Sequence, residues 1–311
     1  MVVPEYTMEN KEIICPECKK KNVIKWCKRK TENRGLIQRY NCKDCGKYFT
    51  LDDGFFRMRN SPQKITCAID LFYSGVSTRK VQQHFKAFYP HNSSWVSVYS
   101  WVLKYTKQIS QFTDKLKINV GEEVQVDEVE YHRRKSHNSK QGVEENWFID
   151  SVDTETRFMV ASNYCKARNQ KEIKKVLQNI KEKSNNKFKT ITTDGLPHYQ
   201  AVVKSVFGYY NFQRGLITYN KVNASKGEGL NFPIERVHNG LRARTKIFRG
   251  FHGSVESARY ILKGFEVFYN FINKHQGINC CPYELAIPEL KDKLNVPNKW
   301  LALIEMANQK H

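Results

Sequence analysis

Between Ser61 and Ser110 the apolar residues recur every three or four positions, the spacing of helices with one buried face. Ser61-Pro62 supplies a cap and a first-turn proline for a helix carrying Ile65, Ala68, Ile69 and Phe72. Gly75-Val76 interrupts the pattern, and Ser77 caps a second helix with Val81, His84 and Phe85. Tyr89-Pro90-His91-Asn92 interrupts it again, because a proline there cannot continue a helix. Ser93 or Ser94 opens a third, which buries Val98, Val102, Tyr105 and Ile109. The outline is that of a helix-turn-helix, with a plain three-helix connector as the alternative. In the first reading the Ser93 to Ser110 helix, with Lys104 and Lys107, is the one that reads DNA.

After Gly121 the period changes. Strands are expected at Val124 to Tyr131, Trp147 to Val152, Phe158 to Asn163 and Phe188 to Thr193. Helices are expected from Gln170 to Lys183, from Pro233 through Leu241, and from Ser254 to Lys274, with a short one in the tail after Pro288. Gly208 to Asn231 reads as irregular. Asp153-Thr154-Glu155-Thr156 reads as a hairpin turn, so Asp150 and Asp153 are expected to face solvent or serve the turn. The stretch His132 to Lys140 reads as a mobile charged hairpin tip, whose Arg133 and Arg134 suit either phosphate contacts or a solvated loop.

Two features carry chemistry. Cys15-Pro16-Glu17-Cys18 and Cys42-Lys43-Asp44-Cys45-Gly46 are paired knuckles of the kind that give four thiolates to one tetrahedral Zn²⁺. Val23 to Trp26 and Ile37 to Tyr40 are the expected strands of a ribbon between them, and two disulfides are the alternative. Four protein ligands leave no open position, so this zinc is structural. Lysines and arginines from Lys19 to Arg34 suit DNA contact or a solvated basic face. The second feature is a set of three carboxylates. Asp127 and Asp194 each follow a β-type run, and Glu235 lies in the first turns of a helix. Hard oxygen donors of this kind favour Mg²⁺ or Mn²⁺. His238 and Arg242 share the helical face of Glu235, with Arg244 and Lys246 close by, and suit a phosphate strand, with a purely packing His238 as the alternative. Glu128 alternates to the opposite side of its strand from Asp127 and is expected to lie outside the site.

Composition narrows the partner. With 52 Lys and Arg against 31 Asp and Glu the net charge is +21, spread along the chain, which implies nucleic acid or an anionic membrane surface. No apolar run is long enough to span a bilayer, and MVVPEYTMENKEII has no signal-peptide core. Nine cysteines in such a chain point to a reducing interior.

Val126-Asp127-Glu128, Thr193-Asp194-Gly195 and the run from Ile234 to Arg244, in that order, resemble the motifs of DDE transposases of bacterial and archaeal insertion sequences, over about Gly121 to His275. The resemblance implies an α/β fold of the RNase H-like/integrase superfamily, a mixed sheet flanked by helices, preceded by the zinc ribbon and the helix-turn-helix. The expected divisions are 1–55 for the ribbon, 56–112 for the helix-turn-helix, 113–290 for the catalytic domain and 291–311 for the tail. It implies that Asp127, Asp194 and Glu235 hold two catalytic Mg²⁺ ions, and that the enzyme cleaves double-stranded DNA at element ends and joins the 3′ hydroxyl to target DNA. It further implies a homodimer or higher assembly, working on the nucleoid in a prokaryotic cytoplasm. Two rivals remain: a DNA-binding regulator with a decayed catalytic domain, and an RNase H-like nuclease.

Overall fold

Around the cysteine knuckles the chain forms β1 (Val23–Thr31), β2 (Gly35–Cys42) and β3 (Tyr48–Phe49), an antiparallel sheet in that order. The structure, a computed structural model, describes residues 13–31, 35–89, 93–131, 133–134, 143–184, 188–222, 232–246 and 251–308. Tyr40 and Phe49 stack with centroids 5.8 Å apart and form the little apolar core this sheet has. The module belongs to the first of two compact units, residues 1–64; the second is 65–311.

The second unit opens within α1 (Pro62–Tyr73), followed by α2 (Thr78–Phe88) and α3 (Trp95–Thr113). Gly75 turns the chain at φ +93°, and Ser77 and Ser94 cap the next two helices by accepting from the Lys80 and Ser97 N–H groups. Then come β4 (Glu123–Glu130), β5 (Arg133–Arg134), β6 (Val143–Glu144), β7 (Trp147–Asp153), β8 (Met159–Cys165), α4 (Gln170–Lys183) and β9 (Thr190–Thr193). The chain continues through α5 (His198–Phe207), α6 (Tyr209–Gln213), β10 (Thr218–Lys221), α7 (Phe232–Thr245), β11 (Phe251–His252) and α8 (Val255–Val267). It ends with α9 (Pro282–Ala286) and α10 (Lys299–Asn308).

The five-stranded sheet runs β10-β9-β4-β7-β8. Pairs β4–β7 and β7–β8 are antiparallel, while β4–β9 and β9–β10 are parallel. This mixed sheet flanked by helices is the RNase H-like architecture expected. One correction concerns 208–231: the run expected to be irregular holds α6 and the edge strand β10, and 223–231 lie outside the described residues.

Helices cover both faces of the sheet. Tyr199 of α5 lies beside Glu128 and His238 of α7 beside the adjacent Asp127, so α5 and α7 sit on opposite sides. In β7 every residue from Phe148 to Asp153 is therefore buried. At the edge, a π-helical turn (Phe268–Ile272) prolongs α8 and carries buried Asn270, whose amide accepts from Met159 N–H (2.8 Å) and donates to Met159 C=O (2.9 Å). The helical segment at the start of the unit packs with the sheet's own helices: α3 runs along α8, and a Cβ at Gly264 of α8 would collide with Tyr73 and Thr106. Lys183 and Lys263 converge on Asp114, just past α3, at 3.0 and 2.9 Å.

Candidate functional site

Each cysteine knuckle closes through a residue in the left-handed region, Lys19 (φ +60°) in the first and Gly46 (φ +70°) in the second. Lys19 N–H donates to Cys15 C=O (3.0 Å) and Gly46 N–H to Cys42 C=O (2.9 Å). The two turns thereby bring all four sulfurs within 4.8 Å of one another. Cys15 and Cys45 lie 3.6 Å apart, Cys18 and Cys42 3.5 Å. A tetrahedron with Zn–S arms of about 2.3 Å has edges of roughly 3.8 Å, so these separations fit a metal. They are far too long for disulfides, and all four thiols are free, which disposes of that alternative. The charges agree. Burial opposes ionisation of Cys15, yet the Cys18 and Glu17 N–H groups bring its thiol down to about 7. Exposed Cys45 accepts from Lys47 N–H, but its crowding against the neighbouring sulfurs pushes it up to about 12. Four thiolates need a cation among them.

The carboxylates gather where β9 stops. Its last pairing with β4 is Thr193 to Val126, so Asp127 projects beyond the end of β9 and Asp194 begins the turn that follows. Gly195 makes that turn at φ +88°, where a side chain would collide with Lys221, and Asp194 Oδ1 accepts from Leu196 N–H (3.1 Å). Oxygens of Asp127, Asp194 and Glu128 lie within 4.8 Å of one another. The exclusion of Glu128 from the site is corrected here. Glu128 does point to the opposite side from Asp127, toward α5, but the notch left by β9 lets both carboxylates reach one spot. Both Glu128 oxygens are buried with only the buried Tyr199 hydroxyl beside them to meet their charge, which fits a cation at this position. Burial pushes the Asp127 carboxyl up to about 6, and burial with Asp194 pushes Glu128 up to about 7. Three oxygen donors this close, two of them held back from ionising, suit a hard divalent ion.

Behind Asp127 stands a pair that strand patterning misses. Asp150, expected at the surface or in the turn, is fully buried in the central strand β7. Its Oδ1 meets His238 Nε2 at 2.7 Å, while Nδ1 of the same ring faces Asp127 Oδ2 at 3.6 Å. Burial acts to lower His238, but Asp150 and Asp127 together hold it above its ordinary value. Asp153, by contrast, serves the turn as expected: it accepts from Gly121 N–H, Thr156 N–H and the Thr156 hydroxyl.

Asp127 and Asp194 are thus together, and Glu235 stays outside the three-carboxylate cluster. It is half-buried in the first turn of α7, between Ile234, whose N–H donates to Gln125 Oε1 (3.3 Å), and His238. The basic residues differ in their surroundings. Arg242 and Lys246 are exposed on and just after α7, while half-buried Arg244 turns inward over the Phe268 ring at 5.0 Å. Lys104 is exposed on α3, and Lys107 pairs with Glu256 (3.6 Å) above the Tyr260 ring. Arg133 and Arg134 form β5, which pairs with β6 and β11; their side chains, with residues 132 and 135–142, lie outside the described residues. No helix among the described residues is long and apolar enough to cross a membrane.

Residues 143–276 match a family model described as a DDE domain, that of insertion-sequence transposases of the IS240 kind. No curated protein matches the chain. The matched stretch holds Asp150, Asp194, Glu235 and His238, and β4, with Asp127, is bonded into it on both sides through β7 and β9. In the order of its motifs, its strand order and its carboxylates at the end of β9, the chain is similar to the DDE domain that residues 143–276 match.

Proposed function

We propose that the protein cleaves double-stranded DNA at the ends of its element and joins the freed 3′ hydroxyl to target DNA, in a dimer or larger assembly acting on the nucleoid in the cytoplasm. The observation that carries this reading is the meeting of Asp127 and Asp194 at the end of β9 inside a DDE domain. Asp127, Asp194 and Glu235 would hold divalent ions, Mg²⁺ or Mn²⁺, with Glu128 adding an oxygen from the α5 side, and such ions would supply activation of the attacking oxygen and neutralisation of the leaving one. The position of Glu235 between two residues anchored to β4, at Gln125 and Asp127, supports its part in that set. Exposed Arg242 and Lys246, on and just after α7, meet the phosphates of the bound strand. A structural Zn²⁺ holds Cys15, Cys18, Cys42 and Cys45.

The test is a labelled duplex of the element's end, a target plasmid and Mg²⁺, incubated with wild type, Asp194→Ala, Glu235→Ala and Glu128→Ala. Joined products are expected from wild type, a loss of roughly 10³-fold or more from Asp194→Ala and Glu235→Ala, and a smaller loss from Glu128→Ala. Cut ends without joined products would identify a nuclease instead. Binding without cleavage by any of the four would identify a regulator.

A further inference from the structure

The three-stranded sheet of the cysteine module has two unlike faces. Lys25, Tyr40 and Phe49 stand opposite one another across the strands on one side, where the Tyr40–Phe49 stack is covered. Ile24, Asn41 and Tyr48 stand opposite one another on the other side. Trp26 joins that second face at a β-bulge: the β1–β2 register slips between Lys25 and Cys27, leaving Trp26 as the extra residue. Its indole meets the Tyr48 ring edge-on, centroids 5.4 Å apart, yet Trp26 is 54% and Tyr48 45% exposed. The guanidinium of Arg39 lies over Tyr48 at 5.8 Å.

Two large rings on an open surface cost free energy in water unless something covers them. The charge around them says what. Residues 15–50 carry eleven Lys and Arg against three Asp and Glu, and Arg29, paired with Ile37, is exposed on the same side of the sheet as Arg39. A partner with both flat apolar surfaces and dense negative charge is a nucleic acid with its bases out of the helix. In a duplex the base faces are already stacked on one another and are closed to Trp26 and Tyr48.

We propose that this face is a binding site for unpaired DNA, in which bases stack on Trp26 and Tyr48 while Arg39 and Arg29 hold the phosphates. The proposal rests on the DNA-processing reading of the chain, since cleavage at an element's end is a source of unstacked nucleotides. It gives the module a ligand distinct from the duplex.

The experiment uses the full-length protein and fluorescence anisotropy, with a labelled oligothymidylate of roughly 20 nucleotides and a duplex of the same length. Wild type is compared with Trp26→Ala, Tyr48→Ala and Trp26→Phe, and zinc per chain is measured for each. Both alanine variants should bind the oligothymidylate about tenfold more weakly and the duplex within about twofold of wild type, and Trp26→Phe should keep most of the affinity. Either alanine variant binding the single strand as wild type does would overturn the proposal. So would equal losses on both DNAs with zinc retained. Should Trp26→Ala lose its zinc, Tyr48→Ala decides the matter, because Tyr48 lies outside both knuckle turns. If wild type binds neither DNA, the DNA-processing reading itself falls; if it binds duplex alone, only this proposal does.

Discussion

Cys15, Cys18, Cys42 and Cys45 offer four sulfurs inside a module whose sheet has little other core, whereas Asp127, Glu128 and Asp194 offer oxygens at the end of a strand backed by a large apolar interior. The cysteines come in pairs three residues apart; Asp127 and Asp194 are 67 positions apart and meet only because β4 and β9 run parallel. In the first cluster a bound ion would stand in for a hydrophobic core, so fold and metal should be lost together. In the second the fold comes first and works against the charges it gathers. The metal-free site should be the less stable for having them.

The strongest way to break this contrast is Cys42→Ser. It should lose zinc and unfold residues 15–50, forfeiting an apparent metal-binding free energy of about 10 kcal/mol, while residues 65–311 melt as before. Metal analysis and hydrogen exchange would check it, and stoichiometric zinc with full amide protection would contradict it. Asp150→Asn sharpens the other side. If buried Asp150 fixes the His238 ring against Asp127, the change should weaken Mn²⁺ binding or strand transfer about 10- to 100-fold, read by titration followed by paramagnetic resonance. An unaltered Mn²⁺ titration would leave Asp150 a packing residue.

Acidity should act on the carboxylates in a known direction. Burial holds the carboxyl of Asp127 up to about 6 and that of Glu128 up to about 7, and each must be ionised to hold a cation. Mn²⁺ affinity should therefore fall as pH is lowered through 7 and then 6, by about tenfold per unit for each proton displaced. A flat profile across that range is the outcome that would refute it. The smallest effect is on stability. The folded-state value of Asp127 lies above the ordinary aspartate value of 3.8, so its contribution is present below about 4 and is lost as pH rises through about 6. At neutral pH its charge is a cost. Asp127→Asn should then raise metal-free stability by ~1–2 kcal/mol, measured by denaturant unfolding, even as it removes the metal site.

Much of this was legible along the chain. The helices of 62–113, their serine caps, and strands β4, β7, β8 and β9 were all marked by apolar period and turn residues, which act over a few positions. β10 was hidden because its short, mostly exposed run, Thr218–Lys221, has no alternation to betray it. Asp150 was misjudged because a polar residue in a strand is expected to face water, and that rule supposes one wet face. Helices on both sides of β7 leave it none. Glu128 points where its position in the strand dictates, but only the early end of β9 opens a notch through which its carboxylate reaches Asp127 and Asp194.

What the amino-acid order determined by itself was therefore whatever depends on near neighbours: the two knuckles, whose spacing alone presents paired thiols, the periods of the helices and strands, and the order of the three acidic motifs. Which carboxylates meet, which stay apart, and that a buried aspartate stands behind a histidine were decided by the packing of β4, β7, β9 and α7. Distances between residues far apart in the chain are set by how sheets and helices stack, and no local pattern carries that information.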